Sequence, residues 1–277
     1  MGIFDGCLIT SDVDDTLVSS GIIPQNNIEK IEYFLSEGGR FSVATGRSAN
    51  AISTVTDNLK KFSPSVLANG CLIFDYENEQ VLYQEVISND DHKLVKAIIE
   101  AKLNVGCEVH SGINSYTVIR NSETDFHQQY EGFTAPECSF EYVDKLVWNK
   151  VVFFTEQINE FEKIKNIANE LNISANLIST GMNANGVRHD FLELVPLGIS
   201  KATAINKLCE ILNIKKGKAF AIGDFYNDLE MLKNADISAA TGGAPDDIKD
   251  IVDYVTVPCE DGAVADFIDY LTNIFKK

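Results

Sequence analysis

The run Asp12-Val13-Asp14-Asp15-Thr16 follows closely on the apolar segment Cys7-Leu8-Ile9, and it limits what the surrounding chain can fold into. Three carboxylates in four positions at the end of a buried strand repel one another. Like charges about 4 Å apart cost ~1 kcal/mol in bulk water and several times that in a cleft. A bound divalent cation removes that cost. Hard, oxygen-seeking Mg²⁺ suits such donors, because it uses one or two carboxylates and leaves positions to water and substrate phosphate. The run therefore reads as a metal-dependent phosphate site. By itself it also reads as a turn plus helix N-cap, with Asp or Thr accepting backbone N–H bonds, so the rest of the chain has to decide.

Strand-like and helix-like segments alternate, which predicts an α/β protein with a mainly parallel sheet. A strand over about 7–12 leads to a helix from Gln25 to Ser36, ended by Gly38-Gly39, and Arg40 to Ala44 forms a second strand. Thr45-Gly46-Arg47-Ser48 then turns into a helix running to about Lys61, and Asn69-Gly70 marks a hairpin between 65–68 and 71–74. From 85 to 189 the texture changes. A helix near 90–102, strands near Glu108 and Tyr116, a polar stretch over 121–141, a strand over 147–155 and a helix over 158–171 read as a separate α/β unit. The first texture returns with Leu192 to Val195, a helix from Lys201 to Leu212 and a strand from Lys218 to Ile222. The expected architecture is a Rossmann-like core over 1–84 and 190–277 with an inserted α/β cap domain over 85–189.

At 277 residues and 45% hydrophobic, the chain can bury a full core. No apolar stretch approaches the ~20 residues that span a bilayer, and no signal peptide is evident, so a cytoplasmic location is expected. The six cysteines form no C-x-x-C pair and read as buried small hydrophobes. A formal net charge of −18 argues against nucleic acid and anionic membrane surfaces as partners, because both need clustered Lys and Arg. Oligomeric state is not legible in the sequence.

In open parallel sheets, ligands bind beyond the carboxyl ends of the strands. Four polar signals fall at such places: Asp12 and Asp14, Thr45, Lys201 at the start of its helix, and Gly223-Asp224-Phe225-Tyr226-Asn227-Asp228 after 219–222. Each alone has an ordinary explanation as a turn, a helix start or a surface lysine. Together, as DVDDT, ATGR, the Lys of GISKATAI and GDFYND, they resemble the four motifs of the haloacid-dehalogenase-like phosphatases. FLELVPLGISKATAI, ATGGAPDDIKDIVDYVT and CEDGAVADFI extend the resemblance to the Cof-type subclass with a mobile α/β cap.

That resemblance implies Asp12 as the nucleophile that forms an aspartyl-phosphate and Asp14 as general acid, then base. It implies Thr45 and Lys201 as ligands of the phosphoryl oxygens, with Val13, Asp15, Gly46, Arg47 and Asn227 contributing to phosphate binding. Mg²⁺ would be bound by Asp12, the backbone carbonyl of Asp14, Asp224 and Asp228. Asp15 stands where many relatives carry glycine; its backbone N–H is expected to serve the phosphate all the same.

The implied function is Mg²⁺-dependent hydrolysis of a small phosphomonoester, a sugar phosphate or related metabolite. A sugar phosphomutase and a catalytically silent phosphometabolite-binding protein are the alternatives. His92, His110, His127 and His189 show no metal-ligand spacing. Asn183, Asn185, Arg188 and His189 are expected on a loop returning from cap to core, as candidates for substrate selectivity.

Overall fold

Short apolar runs ended by Gly, Asp or Thr alternate with amphipathic segments along this chain, and the computed structural model turns them into strands and helices. It describes residues 2–56, 64–184 and 187–276. In chain order these are β1 (Leu8–Ser11), α1 (Gln25–Ser36), β2 (Arg40–Val43), α2 (Ala49–Thr56), β3 (Ser65–Leu67), β4 (Leu72–Asp75), β5 (Gln80–Gln84) and α3 (Lys93–Glu100). They continue with β6 (Gly106–Ser111), β7 (Asn114–Ile119), α4 (Ser122–Glu131), α5 (Phe140–Val143), β8 (Lys150–Phe154), α6 (Ile158–Glu170), β9 (Asn176–Ala184) and β10 (Val187–Val195). The chain closes with α7 (Lys201–Leu212), β11 (Ala219–Gly223), α8 (Leu229–Asn234), β12 (Ile237–Ala240), α9 (Asp246–Lys249), β13 (Tyr254–Val255) and α10 (Ala263–Phe275). The expected continuation of α2 to Lys61 lies outside the described residues. Among those described, no helix is long and apolar enough to cross a membrane.

The chain divides into two compact units, residues 1–46, 55–82 and 200–277 in the first, and 47–54 and 83–199 in the second. In the first, β13-β12-β11-β1-β2 form a parallel sheet. Ala44 bridges in parallel to Val66 of β3, which opens an antiparallel β3-β4-β5 sheet. The strands of the parallel sheet read as near-continuous apolar runs because both faces are covered: Leu8, Ile9, Phe41, Phe220 and Ile222 are all buried.

The Asn69-Gly70 signal does close the β3–β4 hairpin, through three successive left-handed residues, Ala68 (φ 51°), Asn69 (φ 57°) and Gly70 (φ 104°). Only the last requires glycine for space, since a Cβ there would stand 2.3 Å from the Ser200 carbonyl oxygen. Ser200 is the N-cap of α7: its hydroxyl accepts the Thr203 N–H at 3.3 Å, and Thr203 Oγ1 accepts the Ser200 N–H at 3.0 Å. A turn read in the sequence as a hairpin thus also seats the helix that begins with Lys201.

The second unit is an antiparallel sheet, β7-β6-β8-β10-β9. Alternation along its strands separates two faces. Cys107, Val109, Val151, Phe153, Leu192 and Leu194 join Leu94, Val95 and Ile98 of α3 and Phe161 and Ile164 of α6 in one apolar core. The other face carries Glu108, His110, Thr117, Lys150 and Glu193, all buried.

Two sequence expectations differ from this. The polar stretch over 121–141 contains α4, capped by the reciprocal Asn121–Thr124 box and ended by Gly132 at φ 74°. It lacks an apolar stripe because it packs against the polar sheet face, where His127 meets Glu108. The expected boundary at 189/190 falls inside β10, whose register with β9 is unbroken from Val187 to Val195. Leu192 to Val195 therefore belong to the second unit, which runs on to 199.

Replacing Gly70 by alanine combines a disfavoured φ with a backbone collision. Gly70→Ala should cost more than ~2 kcal/mol in urea denaturation, several times a typical surface substitution. A Gly46→Ala control, whose Cβ meets the Asn69 side chain at 3.0 Å, should be milder.

Candidate active site

Parallel register assembles the site. β1 pairs with β2 and β11 so that Ser11, Val43 and Ile222 stand level. The three strands then release their next residues at one edge: Asp12, Ala44-Thr45 and Gly223-Asp224. Backbone bonds hold the exits, with Asp12 N–H donating to Ile222 O (3.0 Å) and Ala44 N–H to Ser11 O (2.8 Å).

Lys201 is the first residue of α7 and is buried. A cation at a helix N-terminus opposes the macrodipole, so its position needs compensation from elsewhere. It donates to Asp12 Oδ1 at 2.5 Å and to Asp228 Oδ1 at 2.7 Å. Burial pulls the Lys201 pKa down, but Asp12 and Asp228 outweigh it and hold the ammonium charged. Burial pushes the Asp12 carboxyl well above the usual carboxylate range; Lys201 opposes this, and Asp228, Asp224 and Asp14 reinforce it.

Asp224 is raised to about 7, by burial first and then by Asp228, with the Thr16 hydroxyl bond opposing. That hydroxyl donates to Asp224 Oδ1 at 3.0 Å. Asp228, fully buried, uses its second oxygen to accept the backbone N–H groups of Asp224 (3.2 Å) and Phe225 (3.4 Å). A Cβ on Gly223 would stand 2.6 Å from that same oxygen, so the glycine is a condition of the turn.

These residues fit a divalent cation. One oxygen each from Asp12, Asp224 and Asp228 lies within 4.8 Å of the others. Three carboxylates facing one ammonium leave two negative charges uncompensated, and that excess adds to the burial that raises the Asp12 and Asp224 pKa values. An all-oxygen, anionic donor set is what hard cations prefer.

The remaining expected residues fall in three places. Val13, Asp14 and Asp15 lie on a tight loop in which the Val13 carbonyl accepts the N–H groups of Leu17 (3.0 Å) and Val18 (2.8 Å). Asp14 is exposed, and its carboxylate is not part of the three-residue cluster. Asp15 sits at φ 57°, a left-handed conformation that glycine adopts most readily; Asp tolerates it better than most residues. Its N–H donates to Val18 O at 3.0 Å, so it braces the loop and is not directed to a phosphate.

Thr45 is buried, its N–H donating to Val66 O and its carbonyl accepting the Asn69 N–H, both at 3.0 Å. Gly46 lies against Asn69. Asn227 is exposed on the 3₁₀ turn Tyr226–Asp228. Arg47 is buried and groups with the second unit.

The selectivity candidates are not on a returning loop. Arg188 and His189 are in β10, Asn183 is in β9 opposite Arg188, and Asn185 lies outside the described residues. Arg188 pairs with Asp190 at 2.7 Å. His189 stacks on Phe126 (3.9 Å, 13°) and meets Glu123 at 2.9 Å. The chain instead leaves β10 after Val195 and runs through Pro196-Leu197-Gly198-Ile199, the last residues of the second unit, with Gly198 at φ 77°. Thr16 was missed as a site residue although it ends the first acidic motif; a hydroxyl one residue beyond an acidic run was the available signal.

Residues 9–268 match the family model of the haloacid dehalogenase-like hydrolases. Among related proteins, YwtE of Bacillus subtilis (strain 168), named a 5-amino-6-(5-phospho-D-ribitylamino)uracil phosphatase, is 26% identical over 95% of this chain and 97% of its own. YcsE of the same organism, named for the same activity, is 27% identical over 92% of each chain. A solved haloacid dehalogenase-like hydrolase from Bacteroides thetaiotaomicron superimposes with a TM-score of 0.81 at 25% identity, covering 96% of this chain and 99% of that one. With the family model spanning nearly its whole length, the protein belongs to the haloacid dehalogenase-like hydrolases, in the Cof-type subclass, and is a phosphatase of that type.

Proposed function

We propose that the protein is a Mg²⁺-dependent phosphatase that hydrolyses small phosphomonoesters, sugar phosphates or related phosphorylated metabolites, through an aspartyl-phosphate. The observation that carries this reading is the cluster of Asp12, Asp224 and Asp228 around a single Lys201. The two Bacillus relatives are named for a substrate whose phosphate sits on a ribityl chain. Phosphorylated sugars and sugar alcohols, that ribitylaminouracil phosphate included, are therefore the first class to test.

Asp12 attacks phosphorus, and the P–O bond to the leaving group breaks as the new acyl phosphate forms. Asp14 gives its proton to the departing alkoxide. A water then attacks the aspartyl-phosphate, loses its proton to Asp14, and releases inorganic phosphate with Asp12 regenerated. The exposure of Asp14 suits a group that must meet both substrate and water. Lys201 and Thr45 hold the phosphoryl oxygens, and Gly46, Asn227 and the loop at Val13 complete that environment. Asp12, Asp224, Asp228 and the carbonyl of Asp14 hold Mg²⁺, which supplies the positive charge that lets one anion approach another.

Phosphate release from a panel of phosphorylated sugars, sugar alcohols and cofactors should depend on Mg²⁺ and fall by more than about a thousandfold in Asp12→Asn, as for loss of a nucleophile. Circular dichroism should show that variant folded. Substantial turnover without the Asp12 carboxylate would reject the mechanism, and isomerised product without phosphate release would favour a mutase.

Asp224 adds a pH signature. Its pKa, raised to about 7, means that the metal-free native state binds this proton more tightly than the unfolded chain does. Its contribution to metal-free stability is therefore present below the unfolded value near 4 and lost as pH rises through 7. Metal binding needs the ionised form, so the Mg²⁺-induced rise in Tm should be small at pH 5 and reach several degrees by pH 8. A rise of equal size at both pH values would contradict this assignment.

A further inference from the structure

The CEDGAVADFI segment takes no part in the reaction set out above. It lies in the first unit, as the 3₁₀ turn Cys259–Asp261 and the start of α10, and it is tied to the loop that carries the first acidic motif. Cys259 is 5% exposed, and its thiol donates to the backbone carbonyl of Thr16 at 3.1 Å. Asn27, fully buried, ties down the next residue of the loop: its Nδ2 donates to Leu17 O at 3.5 Å, and its Oδ1 accepts the Ala265 N–H at 2.8 Å. Asn26 Nδ2 donates to Asp261 O at 2.8 Å. Thr16 and Leu17 are thus held from the C-terminal end of the chain.

Thr16, also fully buried, is where this clamp meets the acidic cluster. Its carbonyl receives the Cys259 thiol, and its hydroxyl donates to Asp224 Oδ1 at 3.0 Å. Asp228 is fixed by Lys201 and by two backbone N–H groups, whereas Asp224 takes its side-chain bond from Thr16. A carboxylate steered by one hydroxyl depends on where that hydroxyl is held. The thiol is suited to holding it. Burial, then Asp15 and Asp224, push the Cys259 thiol up to about 12, so it stays an S–H donor through the neutral range and adds no further negative charge beside the carboxylates.

We propose that Cys259 is a positioning residue for the metal ligand Asp224: its thiol anchors the Thr16 carbonyl, so that the Thr16 hydroxyl keeps the Asp224 carboxylate in one orientation. This rests on the phosphatase reading and its Mg²⁺ site. Cys259 touches neither substrate nor metal in this scheme. It acts through Thr16, as an outer partner that orients a ligand. One of the six cysteines therefore does more than fill space.

The test reads Mg²⁺ affinity by calorimetry on the full chain at pH 8, where Asp224 is ionised. Cys259→Ala and Cys259→Val both remove the donor, one leaving a gap and the other filling it. Each should weaken Mg²⁺ by about fivefold, somewhat less than the roughly tenfold expected of Thr16→Val, which removes the direct partner of a ligand. Cys259→Ser keeps a donor and should stay within about twofold of wild type. In a Thr16→Val background, Cys259→Ala should add nothing, because the hydroxyl it places is gone. A second measurement needs no donor-less variant: in the infrared spectrum, the Cys259 S–H stretch, isolated by subtracting the Cys259→Ser spectrum, should lie at the lowered frequency of a bonded thiol. Wild-type Mg²⁺ affinity in Cys259→Ala and Cys259→Val, an equal loss with and without the Thr16 hydroxyl, or a free-thiol frequency overturns the proposal and leaves the phosphatase reading intact. Wild-type protein that does not bind Mg²⁺ would overturn the reading and the proposal together.

Discussion

The Lys201 ammonium, between Asp12 and Asp228, is the interaction on which the first unit depends. Taking three carboxylates and an amine out of water is costly, and a buried ion pair seldom gives net stability against an apolar substitute. The arrangement makes sense as a site and not as a clamp. Gly70 lets the β3–β4 turn pass against Ser200, Ser200 caps α7, and α7 delivers Lys201 against its own dipole to the edge where β1 and β11 end.

Asp228 joins three layers of that arrangement. One oxygen receives Lys201, and the other receives the N–H groups of Asp224 and Phe225, so a single side chain fixes both the cation and the turn that carries the neighbouring carboxylate. Thr16 secures Asp224 from the opposite loop. The remaining negative charge is shared by groups whose backbone is already fixed, which is the pre-organisation that electrostatic catalysis requires.

In the second unit, the same strand alternation that builds an apolar core on one face leaves a buried, charged face on the other. Glu108, Glu131 and Glu193 are matched there by His127, Lys150 and Arg47. Such a network specifies geometry only when its members are satisfied together. The four histidines follow the same logic. His92 meets Asp144, His110 meets Ser115, His127 meets two glutamates and His189 meets Glu123, so each is a hydrogen-bonding group within the protein.

The chain's local patterns determined the α/β class, the strands that end at Asp12, Thr45 and Asp224, the hairpin at Asn69-Gly70 and the chemistry of the four motifs. Those features are written in short-range periodicity and in residue types at strand ends. Tertiary structure decided what depends on distant partners: that Lys201 serves Asp228 as well as Asp12, that the Asp15 N–H braces Val18, and that β10 continues through His189 to Val195. It also decided that 122–131 is a helix, because α4 faces a polar sheet and carries no apolar stripe to betray it. The contacts from Cys259 through Thr16 to Asp224 could not be read at all, since Cys259 and Thr16 lie 243 positions apart and only packing brings them together.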